Sequence, residues 1–506
     1  MKRILIITYY WPPSGGSGVQ RWLKFSKYLP ENGWEPVIYT PESPQANAYD
    51  NALLKDINPN TEVIKTPIWE PYSIYQKLFG KKNNIKKSSK ATTPKANNAT
   101  ESSSSKKEAT LQSTAPIQAN LIGSADKSLK HRISLFIRGN FFIPDPRFFW
   151  INPSVKYLKR YLKEHPVDAI VSTGPPHSMH LIAKRVAKAT GTKWIADFRD
   201  PWTEIFYFKH LKLSKYAYNK HRKLEQSVLD SADSVVVVSK KMQQDFAART
   251  NTPVHIITNG FDPADFEESQ EDRDKCSYTS KESNTNDSSS IENSNSSVPS
   301  AKFILGHTGI FADNGNPDYL WEALSELAKN NPTFLDDLEI RFMGQVDNTI
   351  LDSIEAAKLD DKLISMGYVP HNVAVHWQKN SSVLLLPLRK EPESAAILTG
   401  KFFEYLASGS PILAFGPTEG DLAKAIAETE SGTMVEFTDK EGTKREIERL
   451  YLDWKRGQEQ GNKGKERGKS NMESKSKLNP KALKYSRKEL TKEYVKLLED
   501  CGLNLQ

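Results

Sequence analysis

One stretch, TGKFFEYLASGSPILAFGP from Thr399 to Pro417, constrains the fold most strongly. Its apolar side chains recur at helical spacing, which predicts a short amphipathic helix over Lys401 to Ala407. Gly409 follows as a typical helix C-cap. The apolar run from Pro411 to Phe415, bounded by turn residues, is typical of a buried strand. A helix, a turn and a buried strand in this order indicate a parallel α/β sheet.

The start of this predicted helix suits a phosphate group. Gly400 opens the helix, so free backbone N–H groups and the positive end of the helix dipole lie beside Lys401. Glu404 lies about one turn further along, where its carboxylate can accept two hydrogen bonds from a ribose diol. The alternative interpretation is an ordinary amphipathic helix before a core strand.

KFFEYLASGSPIL resembles the nucleotide-binding motif of the retaining family-4 glycosyltransferases (glycosyltransferase group 1), and the resemblance extends over most of the chain outside three low-complexity stretches. It implies an α/β protein of the GT-B fold, in which two Rossmann-like parallel-sheet domains face a central cleft and a C-terminal helix crosses back. The expected N-terminal acceptor domain spans 1–264, with a low-complexity insert at 81–127, and is followed by a polar linker over 265–300. The expected nucleotide-sugar domain spans 301–478 and ends in a polar loop at 455–478. A helix within 479–506 is expected to pack on the N-terminal domain.

The N-terminus reads as strand, glycine loop, helix and strand. Gly15, Gly16 and Gly18 separate the apolar run Arg3 to Thr8 from a helix expected to start near Val19. The spacing is not G-x-G-x-x-G and no acidic residue ends the second strand, which argues against a dehydrogenase. The resemblance implies that this loop contacts the donor diphosphate or the acceptor; the alternative is a plain tight turn.

Two further polar motifs follow predicted strands, where doubly wound sheets bind ligands. His177 lies in TGPPHS, and the resemblance implies that this catalytic candidate faces the donor sugar or the acceptor hydroxyl. Asp197, Arg199 and Asp200 lie in DFRDPW, and the resemblance implies that they shape the acceptor pocket. The alternatives are a helix-capping histidine and a structural Asp–Arg pair.

In the C-terminal half, the resemblance implies that Gly309 approaches the donor phosphates. The family often places Arg and Lys just after this glycine, whereas this chain does not, so its phosphate-binding cations must come from elsewhere. The loop containing Tyr368 and Val369 resembles the one that packs on the nucleotide base. The predicted donor site therefore comprises Gly15, Gly16, Gly18, Gly309, Tyr368, Val369, Arg389, Lys390, Thr399, Gly400, Lys401 and Glu404, with His177 and Glu404 as catalytic candidates.

The chain departs from the family pattern at one position. The family has two glutamates eight residues apart; Glu404 matches the second, but Ala396 occupies the first, and Glu391 and Glu393 are out of register. Thr399 and nearby backbone amides are expected to take over its contact with the transferred sugar. An Asp-x-Asp pattern at 272–274 lies in a low-complexity segment and is discounted, so no metal or cofactor is expected beside the nucleotide-sugar co-substrate.

Charge and cysteine content limit the partners and the compartment. A net charge of +8 fits phosphorylated substrates, anionic membranes or nucleic acid, of which nucleic acid is the weakest candidate. The 2 cysteines lie far apart, which favours a reducing, cytoplasmic compartment, and no membrane-spanning helix is expected. Residues 129–163 interleave aromatic and basic side chains, which predicts either peripheral contact with the inner face of the membrane or an aromatic core beneath a loop.

The sequence therefore predicts an enzyme that transfers a sugar from a nucleotide-diphosphate sugar to a hydroxyl of a glycan or lipid-linked acceptor, in cell-surface polysaccharide or glycolipid synthesis. Two alternatives remain. One is a nucleotide-sugar epimerase of the same fold, and the other is a non-catalytic nucleotide-sugar-binding protein, which Ala396 makes plausible.

Overall fold

The computed structural model describes residues 1–46, 49–70, 129–205, 208, 211–267, 301–466 and 479–502. The predicted insert at 81–127, the Asp-x-Asp pattern at 272–274 and most of the predicted linker lie outside the described residues. None of the described helices combines the length and apolar character needed to cross a membrane.

The N-terminal domain is built on a parallel sheet with the strand order β3-β2-β1-β4-β5-β6-β7 among the described residues. Its strands are β1 (Lys2–Ile7), β2 (Trp34–Pro41), β3 (Glu62–Thr66), β4 (Ala169–Gly174), β5 (Lys193–Phe198), β6 (Ser234–Val237) and β7 (Val254–Ile256). Its helices are α1 (Ser17–Tyr28), α2 (Leu129–Phe141), α3 (Phe148–Glu164), α4 (Ser178–Thr190), α5 (Lys215–Leu229) and α6 (Lys240–Ala247). Apolar side chains of the strands and of the helices on both faces of the sheet form two buried cores.

The C-terminal domain repeats this plan with the strand order β10-β9-β8-β11-β12-β13, again parallel. Its strands are β8 (Phe303–Thr308), β9 (Leu338–Met343), β10 (Leu363–Ser365), β11 (Val383–Pro387), β12 (Ile412–Phe415) and β13 (Gly432–Val435). Its helices are α7 (Asp318–Asn330), α8 (Pro332–Asp337), α9 (Asn348–Ala356), α10 (His371–Asn380), α11 (Gly400–Ser408), α12 (Asp421–Thr429) and α13 (Lys440–Glu466).

One prediction about this domain is wrong: residues 455–466, expected to be loop, continue helix α13. Buried Ile447 and Tyr451 anchor the first half of the helix in the core. Arg449 then pairs with Glu446 and Asp453 at helical spacing, which supports an exposed helix. The polar composition therefore reflects solvent exposure rather than irregular structure.

The last helix, α14 (Arg487–Asp500), crosses back to the N-terminal domain as predicted. Its N-cap residue Ser486 accepts a hydrogen bond from the backbone N–H of Glu489. Its Tyr494 packs edge-to-face against Trp22 of α1, with ring centroids 5.1 Å apart. The helix therefore fastens the end of the chain to the first domain.

The segment from Phe261 to Glu267, called the linker below, follows the last strand of the first domain and is fixed by charge. Asp262 and Asp265 lie 3.0 and 2.6 Å from the ammonium of Lys24 on α1, which also lies 2.9 Å from Asp56. The three carboxylates are grouped closely enough to hold a cation, but the lysine ammonium already occupies that position. This cluster therefore joins the linker to the first domain.

Candidate active site

A cavity of about 940 Å³ lies between the two domains. One wall comes from segments that follow β5 and β6, and the other from segments that follow β8 and β11 and from the start of α11. The carboxyl ends of parallel strands are where doubly wound sheets bind ligands. The volume also lies in the range of small-molecule sites. This cleft is therefore the candidate active site.

The start of α11 opens into the cavity. Thr399, Gly400, Lys401 and Glu404 all line it. Thr399 is the N-cap residue, and its side chain makes no capping hydrogen bond, so the first N–H groups of the helix receive no bond from it. The structure thus brings together Gly400, Lys401 and Glu404, predicted for the diphosphate and the ribose, and Thr399, predicted for the transferred sugar.

Lys401 is held at the cavity wall by two hydrogen bonds. Its ammonium donates to the backbone oxygen of Ile310, 2.8 Å away, and to Nε2 of His307, 3.1 Å away. Nδ1 of His307 lies 2.9 Å from the carbonyl oxygen of Leu385, which fixes the ring with Nδ1 as donor and Nε2 as acceptor. Burial lowers the pKa of Lys401 to about 8, although the nearby charge of Glu404 raises it. An anion in the cleft would therefore be a favourable partner for this ammonium.

Glu404 is positioned by a buried glutamine that the sequence analysis missed. Nε2 of Gln378 lies 3.3 Å from Oε2 of Glu404 and 3.0 Å from the hydroxyl of Thr308. The carbonyl of Gln378 accepts a bond from Ser410, and the side chain is 1% exposed. A single glutamine on a polar helix gives no signal in the sequence, because the contact joins residues of α10 and α11.

Gly309 lies directly against Lys401. Its φ of +93° favours glycine, and a Cβ there would lie 2.8 Å from Cε of Lys401. Its N–H donates to the carbonyl of Met343, 2.7 Å away. The next residue, Ile310, lines the cavity. The glycine therefore allows the loop after β8 to approach the lysine closely.

The two neighbouring cations after β11 separate in the structure. Arg389 lines the cavity, where burial lowers its pKa while the charges of Glu391 and Asp200 raise it. Lys390 does not line the cavity. Its ammonium lies 2.7 Å from the carboxylate of Asp318 instead. The prediction that Lys390 binds the donor is therefore not supported by its placement, because its charge is already paired outside the cleft.

The predicted base-binding loop also lies outside the cavity wall. Tyr368 is 73% exposed, and Val369 beside it is half-buried. The loop is tied to the loop after β9 through a hydrogen bond of 2.6 Å from the N–H of Gly344 to the carbonyl of Gly367. The loop is thus near the predicted donor site, but the two side chains do not line the cavity.

The prediction that Asp197 shapes an acceptor pocket is corrected by the structure. Asp197 is fully buried, and its carboxylate pairs with Arg21, 2.7 Å away. It also accepts hydrogen bonds from Trp22 and Thr173. Burial would raise the pKa of Asp197, but the Arg21 charge and these hydrogen bonds outweigh it and hold the pKa below its ordinary value. Asp197 therefore joins α1 to the sheet.

Its neighbours in the same motif do reach the cleft. Arg199 and Asp200 both line the cavity. Nη1 of Arg199 donates to the carbonyl of Gly18, 3.0 Å away, so the arginine supports the glycine loop. Burial raises the pKa of Asp200, opposed by the charges of Arg199 and Arg389. Asp200 is therefore the acidic group that the N-terminal domain presents from this motif.

The glycine loop itself forms the entry to α1. Gly16 is the N-cap residue with a φ of 94°, and a Cβ on Gly18 would lie 2.9 Å from the Tyr10 ring. Gly15, Gly16 and Gly18 do not line the cavity, whereas Gln20 does. The positive φ of Gly16 favours glycine, and Gly18 permits close packing against Tyr10 and Arg199.

His177 is also placed behind the wall. Its ring stacks on Trp202 with centroids 4.5 Å apart, it is 6% exposed, and it does not line the cavity. It is the N-cap residue of α4, but its side chain makes no capping hydrogen bond. Burial lowers the pKa of His177 well below its ordinary value, as does the charge of Arg199. As a catalytic candidate, His177 was predicted to face the cleft. Its neutral ring lies behind the cleft wall instead.

Several charged residues that were not predicted for the site also line the cavity, among them Glu393 and Arg487. Glu393 lies there together with Ala396, whereas Glu391 accepts a hydrogen bond from Asn314, 3.3 Å away. Arg487, the first residue of α14, also lines the cavity. Charge in the sequence does not distinguish these residues from their neighbours, because only the folded chain brings them to the cleft.

Comparisons with known proteins agree with this architecture. A family model described as Glycosyltransferase Family 4 matches residues 121–265, and one described as Glycosyl transferases group 1 matches residues 302–453. A sucrose-phosphate synthase from Thermosynechococcus elongatus has a similar structure, with 13% identity, 99% of each chain covered and a TM-score of 0.54. No curated protein matches the chain in sequence.

Two more solved structures are similar to the chain over its length. One is an alpha,alpha-trehalose-phosphate synthase (UDP-forming) from Burkholderia vietnamiensis, with 10% identity, 100% of each chain covered and a TM-score of 0.57. The other is the N-terminal domain of a Candida albicans trehalose-6-phosphate phosphatase, with 12% identity, 99% of this chain and 97% of that chain covered and a TM-score of 0.57. At these identities the likeness shows the fold. The fold is GT-B, and with the two family matches the chain belongs to the glycosyltransferases that combine a family-4 N-terminal domain with a group-1 C-terminal domain.

Proposed function

We propose that this protein transfers a sugar from a nucleotide-diphosphate sugar to a hydroxyl group of a glycan or lipid-linked acceptor. The observation that carries the proposal is the start of α11, where Thr399, Gly400, Lys401 and Glu404 face the cavity between the domains. A helix N-terminus beside a lysine suits a diphosphate, and a carboxylate one turn away suits a ribose. Synthesis of cell-surface polysaccharide or glycolipid is the role that such an acceptor implies.

In the donor complex, the N–H groups of the α11 N-terminus and the Lys401 ammonium hold the diphosphate. These groups stabilise the negative charge that develops on the leaving nucleotide as the glycosidic bond breaks. Gln378 orients Glu404, and the Glu404 carboxylate accepts hydrogen bonds from the ribose hydroxyl groups. In this proposal the cations and the helix dipole need no metal or other cofactor. Retention of the anomeric configuration follows from the family resemblance.

The acceptor binds on the opposite wall, over Arg199 and Asp200. Burial raises the pKa of Asp200, so its carboxylate gains from a hydrogen-bond donor. The hydroxyl of the acceptor can supply that hydrogen bond, which would orient the acceptor. Closure of the two domains would exclude water, so the sugar reaches the acceptor rather than being hydrolysed. His177 is buried behind this wall, so in this proposal it supports the wall through Trp202.

The test compares Glu404→Gln with Glu355→Gln, an exposed glutamate on α9. A thermal-shift panel of nucleotide sugars first identifies the donor, because a bound ligand raises the apparent stability. Release of nucleoside diphosphate is then measured with and without a lipid extract that supplies the acceptor. We expect Glu404→Gln to lose about 100-fold or more of the acceptor-dependent activity, with unchanged melting temperature, and Glu355→Gln to behave as the wild type.

Normal turnover in Glu404→Gln contradicts the assignment. A nucleotide sugar that is converted without any acceptor indicates the epimerase instead. Donor binding without transfer or hydrolysis indicates a non-catalytic nucleotide-sugar-binding protein.

We further propose that residues 129–163 and the adjoining Trp69 contact the inner face of the cytoplasmic membrane, where lipid-linked acceptors reside. Phe136, Phe141 and Phe149 are 45%, 67% and 40% exposed, and Trp69, 54% exposed, packs on Phe149 with ring centroids 4.6 Å apart. Exposed aromatic side chains beside basic ones are typical of interfacial contact. Flotation with anionic vesicles tests this. We expect the wild type to bind at low salt and Phe141→Ser to bind more weakly. Tyr216, also exposed at 74%, provides the control, and Tyr216→Ser should bind as the wild type does. A wild type that does not float with the vesicles would contradict the proposal.

A further inference from the structure

Arg487 is a buried arginine at the junction of the two domains. It is the first residue of α14, is 6% exposed and lines the interdomain cavity. Its backbone N–H donates to the carbonyl of Phe261 in the linker, 2.7 Å away. Its position is therefore fixed by the segment in which the chain passes between the domains.

The guanidinium of Arg487 is not satisfied by the protein. Its Nε and Nη1 groups are buried and have no hydrogen-bond partner within the described part of the chain. Its guanidinium carbon lies 5.6 Å from the centre of the Phe25 ring, which provides packing but accepts no conventional hydrogen bond. An arginine buried in this way normally binds a carboxylate or a phosphate.

The charges around Arg487 do not supply that anion. Arg21, which is near enough to lower its pKa, is already paired with Asp197. Of the three acidic groups that raise its pKa, Asp262 and Asp265 are engaged by Lys24. The third, Glu404, accepts a hydrogen bond from Gln378, 3.3 Å away. Among the described residues, none of the ion pairs includes Arg487. Burial, followed by the charge of Arg21, lowers the pKa of the guanidinium.

We propose that Arg487 binds a phosphate group of a ligand in the cleft, so that the crossover helix contributes to a site whose other cations come from the two sheets. The ligand chemistry is a phosphate ester or diphosphate, which either the nucleotide donor or a phosphorylated acceptor can supply. The donor case rests on the proposed function. Because an uncompensated buried cation is destabilising, a ligand that pairs with it relieves that penalty on binding.

The experiment compares Arg487→Met with Lys488→Met in the full chain. Lys488 is the next residue, but it is half-exposed and pairs with Glu31 at the surface. Isothermal titration uses UDP, GDP and ADP, the matching nucleosides, glucose 6-phosphate and inorganic phosphate. We expect Arg487→Met to bind the phosphate-bearing probe at least about tenfold more weakly, since a charged hydrogen bond is worth roughly 1.5–3 kcal/mol, and to bind nucleosides as the wild type does. Lys488→Met should match the wild type throughout.

The melting temperature without ligand separates this proposal from a structural role. Replacing an unpaired buried charge by an apolar side chain should leave the melting temperature unchanged or raise it. Loss confined to nucleoside diphosphates indicates the donor as the source of the phosphate, and loss confined to glucose 6-phosphate indicates the acceptor. The proposal is overturned if Arg487→Met binds every phosphate probe as the wild type does, or if the wild type binds none of them. It is also overturned if the variant unfolds at a lower temperature and loses binding of nucleosides and phosphates alike. Arg487-dependent phosphate binding without any sugar transfer would uphold it while refuting the proposed function.

Discussion

Binding of the donor should weaken as the pH rises through about 8, because Lys401 then loses its charge. Burial lowers the pKa of this ammonium to about 8, even though the charge of Glu404 raises it. Below that pH the ammonium is protonated and can pair with a diphosphate. Above it, the neutral amine keeps its place beside Ile310 and His307 but no longer attracts an anion.

The magnitude follows from the titration of one group. About one unit above its pKa, only about a tenth of the lysine is protonated, so kcat/KM for the nucleotide-diphosphate sugar should be about tenfold lower at pH 9 than at pH 7. The fall should be smaller in kcat, because a bound diphosphate favours the charged lysine and raises its pKa. In Lys401→Arg the charge persists, so the fall should disappear up to about pH 10.

The assay measures initial rates at limiting donor between pH 6.5 and 9.5 at constant ionic strength. Lys390→Arg is the matched control, since Lys390 pairs with Asp318 outside the cleft, and it should retain the fall. A parallel fall in the wild type and in Lys401→Arg would show that another group titrates and that the charge of Lys401 is not used.

Three further predictions follow from the packing. Gly309→Ala should raise the Kd of the donor at least about tenfold, because its Cβ would lie 2.8 Å from Lys401 and a residue at positive φ adds roughly 1–2 kcal/mol of strain; Gly367→Ala, with φ +62° and open space around it, has the strain alone and should bind normally. Asp197→Asn should destabilise the N-terminal domain by roughly 3–5 kcal/mol, because its arginine partner stays buried without an anion; an unchanged urea midpoint would contradict this. His180 on α4 is fully buried, with Nδ1 lying 2.8 Å from the hydroxyl of Ser172. Burial lowers its folded pKa to about 3, whereas the unfolded chain binds a proton near pH 6.5, so stability should fall by about 1.4 kcal/mol per unit as the pH falls from about 6 towards 4; an equal slope in His180→Gln would refute it.

The local elements were predictable because their signals are local. The helix and strand of the Thr399–Pro417 stretch were predicted to within one residue at each end, since the helical spacing and the C-cap Gly409, with φ +75°, are contained in the stretch. The strands expected over 168–172 and 194–197 are observed at Ala169–Gly174 and Lys193–Phe198, within two residues at each end, for the same reason. By contrast, the edge strand β3 gives a weak pattern, because only one of its side chains is buried.

The site was only partly predictable, because it depends on contacts between distant residues. Asp197 ends a strand as expected, but its partner Arg21 is 176 residues away, so its structural role cannot be read from the DFRDPW motif. Arg389 and Lys390 are neighbours in the sequence, yet one lines the cleft and the other pairs outside it. Arg487 reaches the cleft only because α14 crosses back between the domains.

The most direct test of the account is a structure of the protein with bound nucleoside diphosphate, using the nucleotide that the thermal-shift panel selects. The account predicts that the ribose hydroxyls lie within hydrogen-bonding distance of the Glu404 carboxylate, and that a phosphate oxygen contacts the N–H of Gly400 or Lys401 and the lysine ammonium. A nucleotide bound elsewhere, with the cleft at the start of α11 empty, would contradict it.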